Sequence, residues 1–96
     1  MKRRIQSMTQ GQTRRVCDVV LPLTRAWLLA RGARDGRYGG CGAFADLERQ
    51  VYVGIVQVEF TADGLPVKAD LLWRLDADFG VVGEPELRVK DSRAAR

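Results

Sequence analysis

Histidine is absent from this 96-residue chain, which excludes several kinds of active site. No Ser-His or Cys-His pair can activate a nucleophile, and the residue most often used in general acid–base catalysis is missing. Histidine-ligated metal sites are excluded as well, and two cysteines alone do not complete a structural zinc site. An enzyme built on this chain would depend on carboxylates, Arg, Lys or Tyr. We therefore expect a protein without catalytic activity, cofactor or metal.

Long apolar runs are also scarce. The most apolar window, residues 16–30, is interrupted by charged residues and is too short to span a bilayer. The basic N-terminus continues into the polar residues 6–13, where a secretory signal would need an apolar core. These features predict a cytoplasmic protein. In that compartment we expect Cys17 and Cys41 to stay reduced.

Residues 51–76 predict a β-hairpin whose register follows from the sequence. Side chains alternate between the two faces of a strand, so a correct pairing sets apolar side chains opposite one another. A four-residue loop of Ala62, Asp63, Gly64 and Leu65 meets this condition, and a shift by one residue breaks it. The predicted pairs are Tyr52–Leu75, Gly54–Trp73, Val56–Leu71, Val58–Ala69 and Phe60–Val67, with Glu59–Lys68 on the opposite face.

The opposite face of this hairpin is more apolar than a face in contact with water. It carries Val51, Val53, Ile55 and Leu72 at the end far from the turn. Contiguous apolar patches are uncommon on the surface of soluble monomers. Either the chain's own C-terminal segment covers these residues, or they bind another protein or a second copy of the chain.

Upstream of the hairpin, residues 9–31 predict an amphipathic helix that is bent at Pro22, or divided there into two short helices. Ser7 and Gln10 fit a capping box at its start. Apolar residues at helical spacing predict a buried stripe. This stripe consists of Val16, Val20, Leu23, Trp27 and Ala30, with Val19 and Ala26 beside it. A smaller strip of Cys17, Leu21 and Leu28 is interpreted either as peripheral core or as a docking surface.

Five of the ten glycines fall within residues 31–43, which join the helix to the hairpin. Glycine frees the backbone, so we interpret this segment as a flexible connector. Two alternatives remain: contact with a phosphate or nucleic acid, and chemistry of the Cys41 thiol. No complete phosphate-loop motif is present. Residues 44–49 predict a helical turn before the hairpin.

The positive charge of the chain lies in its first half. Residues 1–50 hold ten Lys or Arg and four Asp or Glu, whereas residues 51–96 hold six and eight. A basic half in a chain with a pI near 9.6 is typical of nucleic-acid binding, although an arginine excess also follows from GC-rich codons. The residues predicted to contact a nucleic acid are Arg14, Arg15, Arg25, Arg34, Arg37 and Tyr38.

The C-terminal third predicts one more strand. Residues 86–90 alternate in polarity after Pro85, which indicates an edge position. Four carboxylates in this region were considered as oxygen ligands for a divalent cation. They are Asp76, Asp78, Glu84 and Glu86. Carboxylates in turns are more often solvated, so no metal site is predicted.

Together these patterns predict an α+β fold: a bent N-terminal helix, or two short helices, packed on a small antiparallel sheet of two to three strands built around the 51–76 hairpin. Residues 1–96 form a single domain, with residues 1–8 and 91–96 frayed. The predicted function is a non-enzymatic protein-interaction module of the inhibitor or adaptor type, such as mobile elements encode. A homodimer is consistent with the apolar face. The alternative is a regulatory protein that binds nucleic acid through its arginine-rich half.

Overall fold

The computed structural model describes residues 5–33 and 35–92. They form an α+β fold in which a single helix packs on a five-stranded antiparallel sheet, larger than the two to three strands predicted. The elements are β1 (Ile5–Ser7), α1 (Gln10–Ala30), β2 (Arg37–Asp46), β3 (Val51–Ala62), β4 (Leu65–Leu75) and β5 (Glu86–Ser92). The strands lie side by side in chain order, from β1 at one edge to β5 at the other.

The hairpin of β3 and β4 has the predicted register, from Tyr52 opposite Leu75 to Phe60 opposite Val67. The predicted four-residue loop is wrong, because pairing continues to Ala62 opposite Leu65 and the connection is a two-residue turn. Its residues have positive φ, 52° at Asp63 and 77° at Gly64. Asp-Gly is a favoured pair for such turns, whose twist matches that of the strands.

The glycine-rich segment was predicted to be a flexible connector. This prediction is wrong, because most of the segment belongs to β2. Residues 37–46 pair with β3, with a bulge between Gly39 and Cys41. Residues 44–46, predicted as part of a helical turn, pair in turn with β1. The prediction that residues 1–8 are frayed is therefore wrong for Ile5–Ser7.

The predicted third strand is present as β5 and lies at the sheet edge. It pairs with β4, with Leu87 opposite Leu71 and Val89 opposite Ala69. Its last residues, Asp91 and Ser92, were predicted to be frayed but still pair with β4. Residues 93–96 lie outside the described residues.

The helix is one continuous element, with Pro22 on its exposed side. Its N-cap is Thr9 rather than the predicted Ser7, which belongs to β1. Thr9 and Gln12 form the capping box through two hydrogen bonds of 3.1 Å. At the other end Gly32 adopts a φ of 72°, a conformation that glycine supplies at helix ends without strain.

The side of the helix that faces the sheet is rotated from the predicted stripe. Its fully buried residues recur every fourth position, and they are Val16, Val20, Thr24 and Leu28. Leu23, Ala26 and Ala30, which were expected in the core, are exposed. Thr24 is the polar member of this stripe and forms hydrogen bonds in the core.

Gly54 of β3 allows the helix to approach the sheet closely. A Cβ atom at this position would lie 2.7 Å from Cγ1 of Val16 and 3.3 Å from the methyl carbons of Val20. The helix, rather than the Trp73 ring alone, therefore covers the bare backbone of this glycine.

Cys17 and Cys41 form a disulfide between α1 and β2, with their Cα atoms 5.9 Å apart. The prediction that both stay reduced is therefore wrong, and neither is a free thiol in this structure.

Among the described residues, no helix combines the length and hydrophobicity needed to cross a membrane.

Candidate interaction face

The helix packs on one face of the sheet, and the opposite face, which we call the outer face, carries an apolar cluster. The register places all four predicted residues of the hairpin on this face. It also places Phe44 on this face, because Phe44 pairs with Val53. Ile5 lies there too, because it pairs with Asp46, which in turn pairs with Val51. We define the outer-face cluster as Ile5, Phe44, Val51, Val53, Ile55 and Leu72. Phe44 and Ile5 were missed because neither segment was predicted as a strand.

The outer-face cluster has a buried centre and a partly exposed margin. Val53 and Leu72 are each 5% exposed, Val51 and Ile55 are half-buried, and Ile5 is 49% exposed. Within residues 5–33 and 35–92 no helix or strand packs over this face, because β5 extends the sheet in its own plane. The C-terminal segment described here therefore does not cover the cluster. In the part of the chain that the structure describes, neighbouring side chains shield its centre.

A groove of about 490 Å³ crosses this face from β1 to β5. Apolar side chains of Ile5, Phe44, Val53 and Leu72 form its floor and one wall. Charged side chains complete the rim: Asp46, Glu48, Arg49, Arg74 and Arg88. An apolar floor inside a charged rim resembles the composition of a protein interface, with an apolar centre and a polar margin.

Ion pairs occupy the β4–β5 side of the outer face. Glu86 bridges two arginines, with Oε1 3.1 Å from Arg74 Nη2 and Oε2 2.6 Å from Arg88 Nε. Lys90 Nζ lies 3.2 Å from Asp70 Oδ1. Hydrogen bonds from the Arg88 and Arg74 guanidinium groups lower the pKa of Glu86. Since these groups are partly solvated, each pair stabilises the fold only slightly, but together they fix charged side chains beside the cluster.

The charge of the outer face is nearly balanced. The register, the ion pairs and the groove rim place six cations and five anions there among the described side chains. The cations are Arg37, Arg49, Lys68, Arg74, Arg88 and Lys90, and the anions are Asp46, Glu48, Glu59, Asp70 and Glu86. A face of this kind lacks the excess of one sign that phosphate binding requires.

The second predicted protein-interaction strip does not join the outer face, because α1 lies on the other side of the sheet. Leu28 is 3% exposed and belongs to the core, and Leu21 is partly buried against the core. Cys17 is held in the disulfide. Leu28 and Leu21 therefore belong to the central and peripheral core, which was the other interpretation of the strip.

The residues predicted to contact nucleic acid do not converge. Arg14 and Arg25 are exposed on the helix, about 16 Å apart along its axis. The Arg15 guanidinium stacks 4.2 Å from the centre of the Phe79 ring. Arg37 lies on the outer face opposite Glu59, and Tyr38, its neighbour on β2, points to the helix side. Arg34 lies outside the described residues.

Two of the four carboxylates named as possible metal ligands, Asp76 and Glu86, have other partners. Asp76 Oδ1 accepts hydrogen bonds of 2.9 Å from the backbone N–H groups of Asp78 and Gly80, and so holds the turn after β4. Glu86 is bound by two arginines. Across the described residues, no three potential ligands lie close enough together to hold a metal ion.

The chain matches no protein-family model, no curated protein and no solved structure. Its functional interpretation therefore depends on the geometry of the outer face.

Proposed function

We propose that this chain is a protein-interaction module of the inhibitor or adaptor type, and that it binds its partner through the outer face. The observation that carries the proposal is the outer-face cluster around Val53 and Leu72, which no described helix or strand covers. An antiparallel sheet with one face in water normally presents polar side chains there. An apolar centre on that face favours contact with another protein.

The partner we propose is a protein with a flat apolar surface surrounded by charges of both signs. The nearly balanced charge of the outer face supports this choice over a nucleic acid or another highly charged partner. A stable interface covers about 800 Å² on each side. The molecule measures 39 × 31 × 23 Å, so one face of its sheet has the extent that such an interface needs.

We further propose that the chain has no catalytic activity and acts in the cytoplasm. The absence of histidine from the sequence supports the first point. In addition, a hydrogen bond from Thr61 lowers the pKa of Asp35, and arginine contacts lower that of Glu86. Both carboxylates are therefore ionised at neutral pH and unsuited to act as general acids. In the cytoplasm the Cys17–Cys41 disulfide is exposed to cellular reductants.

The test compares two apolar-to-lysine variants. Ile55→Lys places a charge in the outer-face cluster, whereas Leu29→Lys alters a leucine that is 58% exposed on the helix. Tagged wild-type protein is used to capture partners from the native host lysate, with and without nuclease. A captured protein is then purified, and its Kd is measured with the wild type and with both variants, after circular dichroism has confirmed that they are folded.

The proposal predicts a stoichiometric protein partner that survives nuclease, a Kd raised at least tenfold by Ile55→Lys, and an unchanged Kd for Leu29→Lys. Equal affinities for both variants would overturn the assignment to the outer face. Material lost on nuclease treatment would favour the nucleic-acid alternative instead. Light scattering across a concentration series adds a further outcome: a dimer that Ile55→Lys dissociates would make a second copy of the chain the occupant of this face.

A further inference from the structure

The disulfide between Cys17 and Cys41 connects the helix to a weakly supported part of the sheet. These are the only two cysteines in the chain. Cys17 lies in the second turn of α1, and Cys41 directly follows the bulge of β2. Their Cα separation of 5.9 Å is in the usual range for a disulfide.

The part of β2 around Cys41, residues 37–43, has few other constraints. β1 pairs with Phe44–Asp46 only, so this part has a strand neighbour on one side, which is β3. Three of its seven residues, Gly39, Gly40 and Gly42, have no side chain to pack. Segments with few apolar contacts and exposed backbone open at low free energy. The disulfide is the covalent constraint that counteracts this tendency.

The same segment borders the outer-face cluster. Gly42 lies opposite Ile55, and Phe44, two residues further along β2, lies opposite Val53. If β2 stays paired with β3, Phe44 stays beside Val53, and the backbone of Gly42 stays beside Ile55.

We propose that the Cys17–Cys41 disulfide is a redox-sensitive clamp on residues 37–43, and that its reduction loosens this end of β2 and weakens partner binding at the outer face. The effect on binding rests on the proposed function, whereas the effect on β2 does not. Both cysteines are partly exposed, and Cys41 packs against the margin of the core.

The reaction is a thiol–disulfide exchange with a dithiol reductant. A thiolate of the reductant attacks Cys41 Sγ, the Cys17–Cys41 bond breaks, and Cys17 leaves as a thiolate that takes up a proton. The second thiol of the reductant then attacks the mixed disulfide. Cys41 is released as a thiol, and the reductant is left as a disulfide. The chain thereby gains two electrons and two protons.

Hydrogen exchange of the isolated full chain tests the clamp without any partner. We compare the oxidised protein, the same protein reduced with dithiothreitol under native conditions, and the Cys17→Ser/Cys41→Ser double variant. Loss of global stability on reduction and in the variant speeds exchange throughout the sheet by a common factor, which the β3–β4 hairpin reports. The proposal predicts that exchange in residues 37–43 rises at least tenfold more than in this hairpin. Equal exchange in all three samples, or the same increase in residues 37–43 as in the hairpin, would overturn the local clamp.

Two further measurements complete the test. Maleimide labelling after native reduction must reach both cysteines, since reduction only in denaturant would overturn the redox sensitivity. If the partner captured above is available, its Kd should rise at least tenfold on reduction of the chain. An unchanged Kd together with localised exchange would overturn the link to the outer face and leave the clamp itself supported. A failure to capture any partner affects the proposed function alone.

Discussion

The indole Nε1 of Trp73 donates a hydrogen bond of 3.0 Å to Oγ1 of Thr24, within the interface between sheet and helix. The Thr24 hydroxyl donates in turn to the carbonyl oxygen of Val20 over 2.8 Å. Both side chains are buried, so the indole N–H depends on Thr24 for its hydrogen bond, whereas the Thr24 hydroxyl has a second partner in Val20. This pair fixes the rotation of the helix on the sheet and explains why a threonine occupies a core position.

Replacing Thr24 with valine tests this relationship, because the change removes the hydroxyl and nearly keeps the shape. The indole N–H is left buried without a partner, and we expect the free energy of unfolding to fall by about 1–3 kcal/mol. Urea unfolding measures the loss. Trp73→Phe serves as the second arm of a double-mutant cycle, and the double variant should lose less than the sum of the two single variants. Additive losses would mean that the hydrogen bond does not couple the two residues.

Gly54→Ala should destabilise the fold through a clash between helix and sheet. The new Cβ would lie 2.7 Å from Val16 Cγ1, and valine in a helix has little freedom to rotate away. We expect a loss of about 1–3 kcal/mol, the usual cost of overpacking. Gly42→Ala is the matched control in β2, because no atom lies within 4 Å of its added Cβ. Similar unfolding midpoints for the two variants would contradict this explanation.

Removal of the disulfide should lower global stability as well as local order. Its two cysteines are 24 residues apart in the sequence, and a crosslink that closes a loop of this length stabilises a fold by about 3 kcal/mol. The Cys17→Ala/Cys41→Ala variant should lose that amount in urea unfolding relative to the oxidised wild type. The wild type in reducing buffer is the matched comparison and should unfold close to the variant. A variant as stable as the oxidised protein would contradict the prediction.

The ion pairs of Glu86 predict a dependence of stability on pH in the acid range. Since Arg88 and Arg74 hold the pKa of Glu86 below its usual value, ionised Glu86 stabilises the folded chain above its unfolded pKa of about 4.3. This contribution is lost as the pH falls through the lower pKa of the folded state. Urea unfolding of the wild type and of Glu86→Gln should therefore differ by a constant amount at neutral pH and converge below about pH 4. Glu84→Gln, which removes a carboxylate outside this cluster, controls for the loss of one negative charge from the same region.

The register of the hairpin could be predicted, although not the length of its loop, because local signals agree there. Alternating side chains fixed the faces, and Asp63-Gly64 fixed the turn, so only one register satisfied both. The same alternation revealed the four hairpin residues of the outer-face cluster. Phe44 and Ile5 escaped because their place on that face depends on β1 and β2, whose pairing no local pattern indicated.

β2 was missed because glycine has low strand propensity, and the pattern around Gly39 and Gly42 resembles a loop. What makes these residues a strand is the long partner β3, which supplies hydrogen bonds along nearly the whole segment. Thr24 was missed for a similar reason. A polar residue is expected on the water side of a helix until a buried partner such as the Trp73 indole is known. The disulfide was missed as well, because Cys17 and Cys41 come together only through the packing of the helix on β2.

The strand order has a consequence for folding during synthesis. Each strand pairs with its neighbour in the chain, and β3 and β4 are joined by only two residues, so the centre of the sheet can form early by local pairing. The helix, in contrast, is made before β2, β3 and β4, the strands on which it packs. The apolar stripe of the helix from Val16 to Leu28 therefore stays exposed to solvent until the hairpin has left the ribosome. In this interval the nascent chain is most prone to aggregation.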